Sequence, residues 1–341
     1  MPHTYFAIMP ASTSDYADLL PPLGLHRFAV LTAAVTFVLI FVGGLVTSTG
    51  SALAVPDWPL AFGHLIPKLV DGVRFEYGHR VVAAIVVILT LVLAIWTCFA
   101  ERRKWVRNTA LAAFALIIVQ AVLGGITVLL QLPLPIAVAH AATAQAFFCV
   151  TVAFAMFTNP RFGTHPSIST NDEWPRLATL TTITTAVIYI QILIGAVMRH
   201  LGAGLAIPDF PLSYGHLVPP FDSIFVDVNF AHRCGALIAT VFVIWAVARV
   251  MRFHPQESEL RRPALGLLVL LIVQVTLGAF TIWSGRAVLP TTAHVAVGAA
   301  VLATSLALSI RAYVLGGLAS AAEAARVPAP FSGAIERKIT A

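Results

Sequence analysis

Charge is what this sequence has least of. Of its 341 residues only 11% are Asp, Glu, Lys or Arg, while 59% are hydrophobic, and the mean hydropathy is +0.89. Soluble domains carry about a quarter charged residues, so a soluble globular class is excluded. Cysteine is also scarce. Cys98, Cys149 and Cys234 are the three present, none in a C-x-x-C pair, which rules out a disulfide framework and a thiolate metal site. Before Phe28 the chain lacks a basic start followed by an apolar stretch and instead holds Asp15, Asp18, Pro21 and Pro22. A cleaved signal peptide is therefore not expected. No transit peptide is expected either, which points to a bacterial or archaeal plasma membrane.

What is present is a set of long uncharged runs. About 20 apolar residues suffice to cross a bilayer as a helix. Eight runs qualify, near 28–47, 77–100, 109–130, 136–158, 177–198, 230–248, 264–283 and 289–310. The fold class expected is an all-α polytopic membrane protein. With eight spans, both termini share one side. The other side holds Lys68, Arg74, Arg80, Arg199, Arg233 and Arg286, and the remaining 15 of the 21 Lys and Arg fall on the side of the termini. Basic loops stay inside, so both termini are expected to be cytoplasmic. The net charge of +6 is thus a topological signal that favours anionic lipid headgroups. It gives no reason to expect nucleic acid as a partner.

The chain repeats itself. Residues 56–67, Pro-Asp-Trp-Pro-Leu-Ala-Phe-Gly-His-Leu-Ile-Pro, recur at 208–219 as Pro-Asp-Phe-Pro-Leu-Ser-Tyr-Gly-His-Leu-Val-Pro, an offset of 152 with eight of twelve positions identical. His79-Arg80 matches His232-Arg233, and Ile118-Val119-Gln120 with His140 match Ile272-Val273-Gln274 with His294. Four crossings separate each element from its copy, so the halves should be parallel four-helix repeats about an axis along the membrane normal. The expected organisation is a cytoplasmic tail at 1–27, a bundle at 28–158, a linker at 159–175, a second bundle at 176–314 and a tail at 315–341.

Four of the eleven histidines fall in membrane spans, and the repeat maps them onto each other: His79 onto His232, His140 onto His294. Ionisable groups at that depth are costly and mark function. Within each half the two stand at similar depth on separate helices. Two facing imidazoles can supply both axial ligands of a heme iron, whereas zinc wants further ligands that these spans do not offer. Arg80 and Arg233 follow the first histidine of each pair, where each can either meet a heme propionate or extend toward the interface. The glycines at 43–44, 124–125, 195 and 278 suit close helix approach around a bulky group or ordinary membrane packing.

The halves differ at Glu76, three residues before His79, whose counterpart is Asn229. A carboxylate at i and a ligand at i+3 share a helix face. Oxidation at a heme substituent needs a group that takes a proton or stabilises charge, and a heme that only carries electrons does not. Two rivals remain: a di-heme b-type cytochrome, and a parallel-repeat transporter using the histidines as proton relays.

The run Gly44-Leu45-Val46-Thr47 to Gly50, the Pro-Asp-Trp-Pro loop, Glu76-Tyr77-Gly78-His79-Arg80, Leu123-Gly124-Gly125-Ile126-Thr127-Val128 and the later histidines together resemble the heme A synthase family of bacteria and mitochondria, over about residues 28 to 312. The resemblance implies an oxidoreductase that converts the C8 methyl of heme O to a formyl group by successive hydroxylations, giving heme A for terminal oxidases. By position, His79 and His140 would hold the substrate heme with Glu76 as catalytic carboxylate, and His232 and His294, with Arg233, a heme B cofactor. A heme O synthase and a membrane electron acceptor are the implied partners. Some members carry a cysteine pair in the first outer loop; residues 48–75 have none, so that electron route is not expected here. Asp57 and Trp58 of this loop are expected to belong to a folded lid.

Overall fold

The computed structural model describes residues 22–162 and 174–326, with side chains to 316; most of the linker and of both tails lies outside these. Eight long helices account for nearly all of it: α1 (Leu23–Ser48), α2 (Val73–Ala100), α3 (Lys104–Leu129), α4 (Leu134–Phe157), α5 (Leu177–His200), α6 (Ile224–Phe253), α7 (Ser258–Trp283) and α8 (Val288–Arg326). All eight are long and apolar enough to cross a membrane, and the chain is a multi-pass helical membrane protein. Several helices run past the apolar windows. Ser223 caps α6 by accepting from the Val226 N–H, and Pro133 and Pro135 open α4, where a missing N–H costs nothing. The last helix continues through an alanine-rich stretch to Arg326, beyond the boundary expected at 314, because alanine favours helix wherever backbone hydrogen bonds can form.

The surface of these helices is apolar. On α2, Val81, Ile85, Ile88, Val92, Ile95 and Phe99 are all exposed at steps of three and four residues, which is one helical face. Inward-facing threonines such as Thr32, Thr36, Thr90 and Thr97 donate to the carbonyl four residues back, satisfying their hydroxyls without water.

Packing closes a ring in each half: α1 meets α2 and α4, and α3 meets the same two, just as α5 meets α6 and α8, and α7 meets those. Between halves, α1 and α4 pack on α8, and α4 on α5. Polar bonds cross this seam. The Arg199 Nη2 of α5 donates to the Gly44 carbonyl at 2.8 Å and to Ser48 Oγ at 2.9 Å, and Thr292 of α8 reaches the same Ser48 at 2.9 Å. A cation on the last turn of α1 also complements that helix's dipole.

The apolar core lies toward one end of each ring. In the first half it joins Leu25, Ala29, Leu93, Val106, Ala110 and Phe154, all at the end where α1 and α3 begin. The opposite end, where α2, α4, α6 and α8 begin, carries the histidines, with glycines, polar groups and, in the first half, a small apolar cluster of Val55, Ala61 and Val73.

Candidate functional site

His79, His140 and His294 are each six residues into their helices and His232 eight, which at 1.5 Å per residue puts all four about 9 to 12 Å below the helix starts. The two histidines of each half thus stand at matching depth at the same end of their ring.

All four imidazoles rest on a glycine of the preceding helix. A Cβ added at Gly43 would stand 3.1 Å from Cε1 of His79, one at Gly124 3.1 Å from that of His140, one at Gly195 2.8 Å from that of His232, and one at Gly278 3.1 Å from that of His294. Any side chain there would meet the ring. Glycine lets the ring's Cε1 edge come close to a neighbouring backbone.

Sequence reasoning missed the glutamines. Gln120, Gln191 and Gln274 sit one turn before three of those glycines, and their amide nitrogens lie 3.3, 3.0 and 3.5 Å from a ring nitrogen of His140, His232 and His294. Gln120 and Gln191 also donate to the backbone carbonyl of their histidine, at 3.0 and 2.8 Å. His294 Nδ1 lies 3.1 Å from the Gln274 carbonyl. The signal was there to be read, as Gln-x-x-x-Gly occurring three times at 120–124, 191–195 and 274–278. The fourth position, Leu39 before Gly43, breaks it.

Glu76 is buried, at 4% exposure, so it is not solvated by headgroups. Its Oε2 accepts the Val55 N–H at 2.8 Å and its Oε1 accepts Arg80 Nη2 at 2.7 Å. Arg80 also donates to the carbonyls of Asp57, Leu60 and Val55 at 2.8 to 3.0 Å. Both its terminal nitrogens are engaged with the loop, leaving Nε for any further acceptor. The second half repeats the arrangement with different atoms. Asn229 Nδ2 donates to the Ala203 carbonyl at 2.8 Å, its Oδ1 accepts Arg233 Nε at 3.0 Å, and Arg233 holds the Leu212 and Ile207 carbonyls at 2.7 and 3.0 Å.

The clamped loops are folded turns. Asp57 accepts the Phe62 and Gly63 N–H groups at 2.7 and 2.8 Å, and Asp209 those of Tyr214 and Gly215 at the same distances. These donors, Gly63 and Gly215 foremost, hold both carboxyls below their ordinary 3.8. Trp58 packs its indole against Gly125 of α3, lowering the first loop over the bundle end beside His140's own glycine.

The first-half donor set fits a heme. The Nδ1 atoms of His79 and His140 are buried without a partner. Among the described residues no group of three or more His, Cys, Asp or Glu gathers as a metal cage. Two imidazoles carried on separate helices are the pair that bis-histidine heme ligation uses.

Comparison with known proteins agrees. The cytochrome oxidase assembly protein family model matches residues 26–75, 69–152 and 144–306, segments that contain all four histidines and Glu76. The chain is 31% identical over 263 residues to the heme A synthase of Symbiobacterium thermophilum, covering 75% of this chain and 84% of that one. It is 27% identical to that of Staphylococcus haemolyticus over 74% of this chain and 84% of the relative, and 28% identical to that of Listeria monocytogenes over 76% and 86%. Since the match runs through both rings and every relative named carries one description, the chain belongs to the heme A synthase family.

Proposed function

We propose that this protein is a membrane oxidoreductase that converts the C8 methyl of heme O to the formyl of heme A by successive hydroxylations, with His79 and His140 holding the substrate and His232 and His294 a heme B cofactor. The observation that carries the division of labour is the exchange of Glu76 for Asn229. Both clamp a loop to their arginine, so the clamp itself does not need a carboxylate. A carboxylate adds what an amide lacks, the capacity to take and return a proton and to stabilise positive charge. The bound hemes supply the redox chemistry. The chain's own contribution is to seat each imidazole against the glycine of the preceding helix, to cover the bundle end with the clamped loop, and to offer at Glu76, three residues before His79, a carboxylate that can take a proton.

Arg80 keeps the Glu76 carboxylate oriented, and Arg233 does the same for Asn229. Substrate arrives from a heme O synthase, electrons leave to a membrane acceptor, and both termini face the cytoplasm of a plasma membrane, as the distribution of basic residues favours.

The test is extraction and chromatography of the hemes bound to chain purified from cells that also make heme O. Heme B together with heme O or A is expected. Heme B alone, in both halves, would instead favour a di-heme cytochrome, and no Soret absorption at all would favour a transporter. Replacing His232 or His294 with Ala should remove heme B and spare the other heme.

A further inference from the structure

The two clamped loops carry large apolar side chains that the described residues leave uncovered. Leu65 and Ile66 of the first loop are 80% and 77% exposed, and Leu217, Val218 and Phe221 of the second are 83%, 57% and 63% exposed. A single exposed leucine is ordinary. Apolar clusters at matching places in both repeats mark a contact surface instead.

What holds the loop tips shows which way they lean. Tyr77 of α2 donates its hydroxyl to the Leu65 carbonyl at 2.8 Å. It heads the line of Val81, Ile85, Ile88 and Val92, the exposed face of α2, since steps of three and four residues keep to one side of a helix. Its counterpart in the repeat is Phe230. Phe221 packs edge-on against that ring with centroids 5.7 Å apart, and Phe230 heads the exposed face of α6 through Cys234, Leu237 and Val241. Each tip therefore leans over the rim of its ring on the side that meets lipid, while Arg80 or Arg233 grips the base of the same loop.

We propose that both loop tips are seated in the membrane leaflet at the histidine end, covered by acyl chains and not by a protein. Two observations select lipid. The tips extend helix faces that the bilayer already covers. Lys68 stands two residues beyond Ile66 and is exposed, where its stem can lie along acyl chains while its ammonium reaches phosphate. Insertion is shallow, because hydrocarbon leaves backbone polar groups unpaired. Tyr77 takes the Leu65 carbonyl, and Pro67, Pro219 and Pro220 have no N–H to satisfy; the other groups need the headgroup layer. Each lid is then held twice, by an arginine of the bundle and by the leaflet beside it.

The experiment is spin labelling of the full chain in phospholipid nanodiscs, with Cys98, Cys149 and Cys234 changed to Ala so that one introduced cysteine carries the label. Labels at Leu65→Cys and Leu217→Cys should collide with oxygen, which dissolves in acyl chains, and lose access to a water-soluble nickel chelate, as should a label at Ile88→Cys in the middle of the α2 face. Arg102→Cys, in the loop at the other bundle end, should show the reverse. Nanodiscs open both faces to the chelate, so the outcome does not depend on which face is cytoplasmic. Loop labels that behave like Arg102→Cys stand in water and overturn the proposal. Labels shielded from both reagents are covered by protein and overturn it too. If the cysteine-free chain does not fold, a benzophenone side chain in place of Leu65 or Leu217 of the otherwise native chain gives the second reading. Irradiation should add the mass of a phospholipid to the chain, and an adduct of protein mass, or none, overturns the proposal.

Discussion

Adding one methyl group at Gly195 should cost this protein its second-half heme. The Cβ of Gly195→Ala would lie 2.8 Å from Cε1 and 3.2 Å from Nδ1 of His232, where ordinary contact begins at 3.4 Å. The imidazole must retreat by about 0.6 Å, or α5 and α6 must part by as much, and metal–ligand distances tolerate only about 0.2 Å. The ring cannot turn aside freely, since Gln191 holds its Nδ1 and its backbone carbonyl. Overpacking of this kind costs about 1 to 3 kcal/mol, which corresponds to a fall in heme affinity of about fivefold to more than a hundredfold. The assay is heme B per chain after purification, with the low-spin absorption bands as readout. Gly43, Gly124 and Gly278, with 3.1 Å to their rings, should show smaller losses when changed to Ala. Gly266→Ala is the control. Nothing lies within 4 Å of its added Cβ, so it should leave heme unaltered and stabilise α7 by up to about 1 kcal/mol. Full heme occupancy and an unchanged spectrum in Gly195→Ala would refute the reasoning that the glycine exists to seat the ring.

Other expectations follow from the clamps and the seam. Glu76→Gln should lower heme A output by about a hundredfold or more while heme still loads, and near-normal output in cells making heme O would return the di-heme cytochrome to first place. The same change removes one charge-assisted bond to Arg80 or Val55, worth about 1.5 to 3 kcal/mol when buried, so the first loop should become more sensitive to added protease. Asp57 and Asp209 titrate below 3.8 in the fold. Their contribution is therefore complete above that value and lost only as pH falls through the lower folded value, and Trp58 fluorescence quenching by acrylamide should stay flat from pH 8 to about 5; a rise near pH 6 would show that another group latches the loop. Arg199→Met should lower the thermal midpoint by loosening α5 from α1, without changing the absorption bands, and a change of spectrum with no loss of stability would place Arg199 at a heme instead. A reporter fused after Ala341 should read cytoplasmic and one between Lys68 and Arg74 external, and the reverse would invert the orientation.

The spans were legible because hydrocarbon selects for them so strongly: each of the eight runs corresponds to one helix, and the misplaced ends are polar first turns such as Lys104 to Asn108 or Ser258 to Arg262, which hydropathy cannot recognise as helix. The four histidines were legible for the same reason, since a titratable group stands out in an apolar run. The Arg80 and Arg233 guanidiniums were not. Sequence offered a propionate or the interface, whereas each turns onto carbonyls of a loop some twenty residues earlier, a choice that depends on how that loop folds back. The glutamines went unassigned because their partners sit on the next helix, and only tertiary packing shows Gln191 against His232.

The seam between the rings decides which walls can move. α1 and α4 of the first half are tied to α5 and α8, with Gly44 against Thr292 and Val295 on one side and Gly43 against His79 on the other. One thickness of backbone thus serves two chambers and cannot swing without disturbing both. Among the described residues α2 and α3 make no comparable contact with the second half, so of the four helices of the first ring they are the pair not braced by it, and α2 turns an apolar face outward. If the first ring holds a heme substrate as proposed, that flat, greasy molecule would come and go there, sideways through the bilayer.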